Sequence, residues 1–522
     1  MKNEVLTNLN PIKKGLVFFT ILACWATSAS AQMSSESAPD CFKKFYRYKN
    51  HGNGAYVQHT ATTLTATLST AHVVVKNTSI SPYDWSYIWQ VAPEVKYAGA
   101  KTLRSVEFPR NMIGKKGDGL LIKYYDALLL IRNTSSYEGD FDIVSALDGT
   151  NGISFKYHHA GNRYLCRKNG DTNLYFYSSS DTKNFKSNAS YTPIQLQTAA
   201  VAYQETNYQT NYGSAATRSG FVVPLMLGSY TANNLVIYEV NALDWTDYEN
   251  QITHIQSFRV APGYKVTTYR NNNYTGAIAV YTSDQPNVST SNVKSLKVEL
   301  DAVGGKSGNY LIKNTATGQY MQLQSGNVTL QDYTGNADQQ FTLQETATAG
   351  LYTITANNSQ ELAVKNSSRE KGAQLSARTT ENAQQFYLVR TENGSRYKLV
   401  PACTMGADTC KFLAKTTTDN IVRTAFEPYG DTKAYWELVP VETYRFTKKG
   451  GSRVASIIAP NVANRLVIYY PDGRVMRDIT LGAGSGKISV DLRPDDCPVG
   501  TYTYQLFGSN PEQKLASVNV VY

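Results

Sequence analysis

The sequence predicts an all-β chain assembled from several small modules, and three observations carry that expectation. Tyr, Thr, Val and Asn recur in short alternating bursts broken by Gly and Asn, the pattern of short strands joined by turns. Charged residues make up only 18% of the chain while 38 Tyr and 36 Gly are present, so long charged helical runs are scarce. At 522 residues the polypeptide is too long for one core and is expected to divide into three or four domains.

Residues 1–31 are expected to lie outside the fold. Lys13 and Lys14 precede the apolar run GLVFFTILA, and Ala29-Ser30-Ala31 offers a small-residue cleavage site before Gln32. This reads as a signal peptide cleaved after Ala31, which places the protein outside the cell or on its surface. A second reading takes Ile21-Leu22-Ala23-Cys24 as a lipobox, leaving a lipid-modified Cys24. No later segment is long and apolar enough to span a bilayer. Cleavage lowers the formal charge from +10 to +8, a mild basicity compatible with acidic polysaccharide or with ordinary solubility. No Lys/Arg cluster interleaves with aromatics, so nucleic acid is not an expected partner.

Residues 41–198 read as three loosely similar units. FYRYKNHGNGAYVQH, GKKGDGLLIKYYDALLLIR and ISFKYHHAGNRYLCRKNGDTNLYFY each open with strand, turn and strand, and the units close near Ile88–Val91, Asp140–Ile143 and Ser190–Pro193. The polar stretch 199–218, rich in Asn, Gln, Thr and Ser, reads as a linker. Residues 219–300 then alternate like sheet. SFRV recurs as SLKVEL about forty residues on, Pro262-Gly263 supplies a turn, and Tyr269 and Gly276 frame a fold-over in which glycine relieves a positive φ. Two Greek keys sharing one small core are expected, with Asn271, Asn272 and Asn273 facing solvent.

Residues 306–440 contain a near-repeat of about 45 residues. GNYLIKN, GLYTITA and SRYKLVP open the units, and Asp338–Leu343, Ala383–Leu388 and Ala434–Pro440 close them. One unit cannot bury its apolar face alone, but three around a pseudo-threefold axis share a core plugged by Phe341, Phe386 and Trp436. In the tail, 441–522, Asp472-Gly473 between alternating runs marks a hairpin within a small β-sandwich.

These residues resemble known families. The closing phrases of 306–440 are similar to the Gln-x-Trp of ricin-type β-trefoil lectins, here Gln-x-Phe twice. That resemblance implies a sugar site in the first unit, with Gln322 in place of an Asp, Tyr333 as the ring, and Asn336 and Gln339 as the amides. Ala363 stands at the Asp position of the second unit, and Ala414 or Lys415 near that of the third. Tyr164-Leu165-Cys166-Arg167 and Asn188-Ala189-Ser190-Tyr191 resemble arabinose-binding trefoils, implying Tyr164, Arg167 and Asn188 as sugar contacts. His59 is the counterpart in the first unit, whose Asp position falls on Ser86.

The Tyr-x6-Gly corner with VAPGYKVTTY resembles βγ-crystallins, which implies a Greek-key sandwich. The calcium-binding pattern of that family falls on Ile252–Ser257 and Thr290–Ser295, which lack leading carboxylates, so no metal is expected. The tail resembles sorting domains of the type IX secretion system, which implies that secretion machinery is a partner. A generic immunoglobulin-like sandwich would share its pattern, and the final strand ends in Tyr522 without a basic residue. The expected architecture is thus two β-trefoils flanking a βγ-crystallin-like Greek-key sandwich, with a small C-terminal β-sandwich.

Cys403 and Cys410 are expected to close a short disulfide loop, and Cys41 with Cys166 is a second conceivable pair that leaves Cys497 over. His158-His159 reads as flanking a turn rather than binding metal. Paired carboxylates such as Asp140 and Asp142 read as solvated loops, and no nucleophile elbow, zinc helix or phosphate loop is present. The expectation is a secreted, non-catalytic protein that needs no cofactor and binds polysaccharide or cell-surface glycan. The rival expectation is an extracellular structural or adhesion protein whose trefoils have lost sugar binding.

Overall fold

The computed structural model describes residues 33–521 except for 36–37, 61–71, 94–98, 108–110, 117–128, 133–136, 139, 159–161, 179–184, 212–220, 232, 236–250, 335, 358, 366–367, 369–374, 379–384, 392–393, 407–409, 416–419, 426–431, 442–445, 449–453, 459–464, 482–486, 492–498 and 508–513. The expected leader, Cys24 and Cys497 lie outside the described residues. Strands dominate throughout, and among the described residues no helix is long and apolar enough to cross a membrane. The chain divides into two compact units, residues 1–300 and 301–522.

In the first unit, six strands close into a barrel. Phe45–Asn50 pairs with Trp89–Pro93, which pairs with Lys101–Ser105. The ring continues through Asp140–Ser145, Ile153–Tyr157 and Tyr191–Gln195 and returns to Phe45–Asn50. Three hairpins hang from it: Tyr56–His59 with Val73–Lys76, Asn111–Lys116 with Leu129–Arg132, and Arg163–Arg167 with Leu174–Ser178. Closure leaves no free edge, but the interior of so small a barrel must be filled by side chains. The closing strand of each repeat supplies one fully buried ring, namely Trp89, Phe141 and Tyr191. Asp140 and Asp142, expected on a loop, sit in a barrel strand. Asp140 is buried, and Asp142 bonds His158 Nδ1 at 2.8 Å.

The second unit repeats this plan. Gly308–Asn314, Gln340–Glu345, Leu351–Ala356, Gln385–Arg390, Tyr397–Pro401 and Trp436–Pro440 form another closed ring of six. Its hairpins are Tyr320–Gln324 with Asn327–Gln331, Glu361–Val364 with Leu375–Arg378, and Phe412–Lys415 with Val422–Ala425. Both domains are therefore β-trefoils, and the plug residues Phe341, Phe386 and Trp436 are at most 1% exposed. The two domains are also fastened alike. Asn50 Nδ2 donates to Asn188 O and Asn314 Nδ2 to Lys433 O, each at 2.8 Å, tying the first repeat to the third. Each plug indole donates to a hairpin carbonyl, Trp89 Nε1 to Val57 O at 3.0 Å and Trp436 Nε1 to Leu413 O at 2.9 Å.

Residues 199–211, expected to be a linker, are instead integral to the Greek-key sandwich. Ala200–Tyr203 is fully buried between Val222–Leu225 and Ser257–Val260. The second sheet runs Gly228–Thr231, Ser295–Leu300, Tyr264–Tyr269, Ala277–Tyr281. Each Greek key lends a strand to the other's sheet, through Gly228–Thr231 in one direction and the bridge of Phe258 with Gln285 in the other. The two corners match in detail. Ser257 Oγ donates to Glu205 O and Ser295 Oγ to Asn271 O, both at 2.6 Å. Tyr203 meets Tyr208 edge-on at 6.0 Å, as Tyr269 meets Tyr274 at 6.1 Å, and Tyr208 and Tyr274 take positive φ values of 57° and 60°. Polar composition disguised a strand whose four small or aromatic residues need no outer polar face. Asn271, Asn272 and Asn273 are exposed, as expected.

The first trefoil and the Greek-key domain, both within the first compact unit, are in contact. Trp85 Nε1 donates to Asn234 O at 2.7 Å, and Tyr83 packs edge-on against Tyr230 at 5.7 Å. Strand Met33–Ser35 pairs with Gln209–Asn211. In the tail, sheets of three and four strands are present, and Gly473 at φ 85° turns the expected hairpin between Arg465–Tyr469 and Val475–Thr480.

The expected disulfide between Cys403 and Cys410 is not formed. Hydrogen bonds close that loop instead: Thr404 Oγ1 donates to Pro401 O at 2.9 Å and accepts from Lys411 N at 3.2 Å. Cys41 and Cys166 are both buried, and Cys166 packs with Tyr164, Phe185 and Ala189.

Two outcomes follow for stability. Trp436→Ala should lower the unfolding free energy of the second unit by about 3–5 kcal/mol in denaturant titration. Trp436→Phe, which keeps a ring as in the other two repeats but loses the bond to Leu413 O and part of the indole's volume, should cost less, about 1–3 kcal/mol. Acid sensitivity should appear at Asp148. Burial alone would raise its carboxyl, but hydrogen bonds from Thr150 and His51 outweigh that and hold it at about 2. A carboxylate lowered in the folded state stabilises above its unfolded pKa and ceases to do so as pH falls through the folded value. The stability difference between the native protein and Asp148→Asn should therefore shrink between about pH 4 and pH 2.

Candidate functional site

In the first repeat of the second trefoil the sequence brings four expected site residues to one place. Strand Tyr320–Gln324 carries Gln322, and the turn after Asn327–Gln331 carries Tyr333 and Asn336 into a short 3-10 helix, Ala337–Gln339. Gln339 is fully buried and its amide is saturated. Nε2 donates to Asp332 O at 2.8 Å and to Gln322 Oε1 at 3.4 Å, while Oε1 accepts from Thr334 N at 2.8 Å and Thr334 Oγ1 at 3.2 Å. The Gln339 amide is thus spent on partners within the protein. It fixes Gln322 on one side and the Asp332–Thr334 backbone flanking Tyr333 on the other.

The groups left to meet a ligand are the Gln322 amide, the Tyr333 ring and the Asn336 side chain. Asn336 is exposed, and its side chain does not cap the helix it precedes. Tyr333 leans against Tyr320 with ring centres 5.3 Å apart. Burial raises both phenols above the usual range, with Glu437 and Tyr333 adding to the shift at Tyr320, so both remain O–H donors at neutral pH. One neighbour was not anticipated. Asp332 is exposed beside the ring and accepts from Gln319 Nε2 at 3.4 Å, which puts a carboxylate at the rim. Its signal was local: Asp332 directly precedes the ring residue.

An aromatic face, an amide fixed from behind and an exposed amide together suit a polyhydroxy ligand. The ring covers C–H groups, and amides donate to and accept from paired hydroxyls. The other two repeats lack this set. Ala363 and Ala414 occupy the position of Gln322 and are buried, and Lys415 Nζ is bonded to Asn420 Oδ1 at 3.0 Å.

In the first trefoil the expected contacts are brought together only in part. Arg167 Nη2 donates to Asn188 Oδ1 at 3.0 Å. Asn188, however, is buried and also donates to Asn169 Oδ1 at 2.7 Å, and a side chain at Gly52 would collide with it. This network stitches the third repeat closed. Tyr164 is a core residue packed against Phe185 and Cys166. His59 is 1% exposed, its Nε2 lying 3.2 Å from both Ser105 Oγ and Glu107 Oε2 and its ring edge-on to Trp89. Tyr164, Asn188 and His59 are buried and give their bulk or their hydrogen bonds to the interior of the domain, while Arg167 is half-buried.

The arrangement around Gln339 predicts a specific loss. Gln339→Ala would leave Thr334 N and Asp332 O without their partner, costing about 1–3 kcal/mol of stability by chemical denaturation. Gln339→Glu, which keeps the acceptor for Thr334, should recover only part of it.

A family model described as ricin-type beta-trefoil lectin domain-like matches residues 298–378 and, overlapping them, 337–407. No curated protein matches the chain. Among solved structures, a designed three-fold symmetric protein, ThreeFoil, shares 24% identity at a TM-score of 0.23, covering 26% of this chain and 99% of its own. The Rhizoctonia solani agglutinin shares 15% identity at 0.22, covering 26% and 98%. The Polyporus squamosus lectin, solved with a human-type influenza-binding epitope, shares 12% at 0.24, covering 27% and 51%. Over residues 298–407, then, the second trefoil is similar to the ricin-type β-trefoil lectin-like family.

Proposed function

We propose that the chain is an exported, non-catalytic glycan-binding protein whose sugar site is the first repeat of the second trefoil. One observation carries this reading: the buried amide of Gln339 holds Gln322 and the Tyr333 turn in place while Asn336 stays exposed. Gln322, Tyr333 and Asn336 are the ligand groups, and a polysaccharide or cell-surface glycan is the partner. The match of residues 298–407 to the lectin-like family supports carbohydrate as the ligand class.

Export is part of the same reading. The leader-like stretch 1–31 and the two-sheet tail support it, with the tail as the sorting element. The paired Greek keys support likening the central domain to βγ-crystallins, with Ala200–Tyr203 as its first strand. A single site of this kind binds weakly, so repetition along a polymer favours polysaccharide over a free sugar.

A specific observation favours a second reading. Two of the three repeats carry buried alanine where the first carries Gln322, as in a trefoil retained as scaffold for adhesion. A glycan array and polysaccharide pull-down with the mature chain separate the two. Binding abolished by the Tyr333→Ala, Asn336→Ala double variant is the expected result. Binding that survives moves the site elsewhere, and no binding to any glycan favours the scaffold. Gln322→Asp should tighten the bound sugar by about tenfold in titration calorimetry, because a charged acceptor bonds hydroxyls roughly twice as strongly as a neutral one.

A further inference from the structure

The first trefoil has a feature that the glycan reading does not use. One mouth of its barrel opens into a cavity of about 330 Å³. Tyr46, Val91, Ile143, Ile153 and Pro193 line it, one from each of five barrel strands, with Tyr48 deeper in. Tyr46, Val91 and Ile153 pack on the core beneath, and the rings of Tyr46 and Tyr48 lie nearly parallel, 5.9 Å apart with an interplanar angle of 20°. Ile143 at the rim is 41% exposed, unusual for an isoleucine in the middle of a barrel strand. Asp40, Lys43 and Lys44 complete the lining.

This lining selects its ligand by exclusion. Val91, Ile143, Ile153 and Pro193 have no side-chain hydrogen-bonding group, so a sugar would lose water without replacement. A cavity of about 150 Å³ admits a benzene ring, so one of this size takes roughly two fused rings. Two lysines against one aspartate line the rim, a positive balance that favours an anion; Lys44 Nζ lies over the Phe45 ring, and Lys43 is the more exposed of the two. Burial keeps the Tyr46 phenol above its usual range, leaving it an O–H donor at neutral pH.

We propose that the mouth of the first barrel is a binding site for a small aromatic carboxylate, its rings against Tyr46 and the aliphatic wall and its anion on Lys43. Lys43 is half-buried at the rim, close enough to solvent for an arriving anion and partly shielded from screening. The site is separate from Gln322, Tyr333 and Asn336 and does not depend on them.

Titration calorimetry of the mature chain with 2-naphthoate tests this, with 2-naphthamide as the uncharged analogue and octanoate as the ringless anion. One naphthoate site is expected, with the amide about tenfold weaker. Lys43→Gln should weaken naphthoate by a similar factor and leave the amide unchanged, and Ile143→Trp, which fills the mouth from an exposed position, should abolish both. Thermal unfolding of both variants should match the native protein, which separates loss of the site from loss of the fold. Absence of naphthoate binding, or binding untouched by Ile143→Trp, overturns the site. Equal affinity for acid and amide overturns the anion, and tighter octanoate overturns the ring.

Discussion

A closed barrel of six short strands has no room for water and no backbone partner for its own interior, so side chains must fill it. Both trefoils meet that constraint by placing one large ring per repeat on the closing strand: Trp89, Phe141 and Tyr191 in one, Phe341, Phe386 and Trp436 in the other. Everything else in these domains is arranged around those six rings. The hairpins cover them, Asn50 and Asn314 draw the third repeat onto the first, and the indoles of Trp89 and Trp436 pin hairpin backbone. Because one repeat exposes its ring until the other two arrive, each domain is expected to fold as a whole rather than repeat by repeat.

The same packing decides where a ligand can sit. In the second trefoil, Gln339 lies immediately before the closing strand and inherits that strand's rigidity, which passes to Gln322 and to the turn bearing Tyr333. A site on a loop is thereby held nearly as firmly as one on a strand. In the first trefoil the corresponding polar residues serve the scaffold. Asn188 closes a network with Arg167, Asn169 and Asn50, and His59 is enclosed against Trp89. The two domains share a backbone plan yet differ in which polar groups remain available to solvent.

How much of this was legible follows from the strength of each local signal. The second trefoil was readable because two of its three closing phrases repeat almost verbatim, and its first repeat keeps the amides in register. The hairpin at Asp472-Gly473 and the solvent-facing Asn271–Asn273 turn were readable because turn chemistry is local. Strand Ala200–Tyr203 was misread, since the Asn, Gln and Thr residues after it look like a linker. YQETNYQT in fact echoes YRNNNYTG, with Tyr203, Asn207 and Tyr208 answering Tyr269, Asn273 and Tyr274. The Cys403–Cys410 pairing was inferred from proximity in sequence, but proximity does not say that Thr404 already closes the loop.

By itself the sequence determined the all-β class, the threefold repetition and the plug rings of the second trefoil, because these depend on periodicity and on side-chain size at fixed intervals. Only the tertiary structure decided which polar side chains point outward. It also decided that two Greek keys exchange strands, and that the mouth of the first barrel stays open between Tyr46 and Ile143. Those outcomes depend on which neighbours meet across a closed ring, and contacts between residues tens to more than a hundred positions apart leave no local pattern to read.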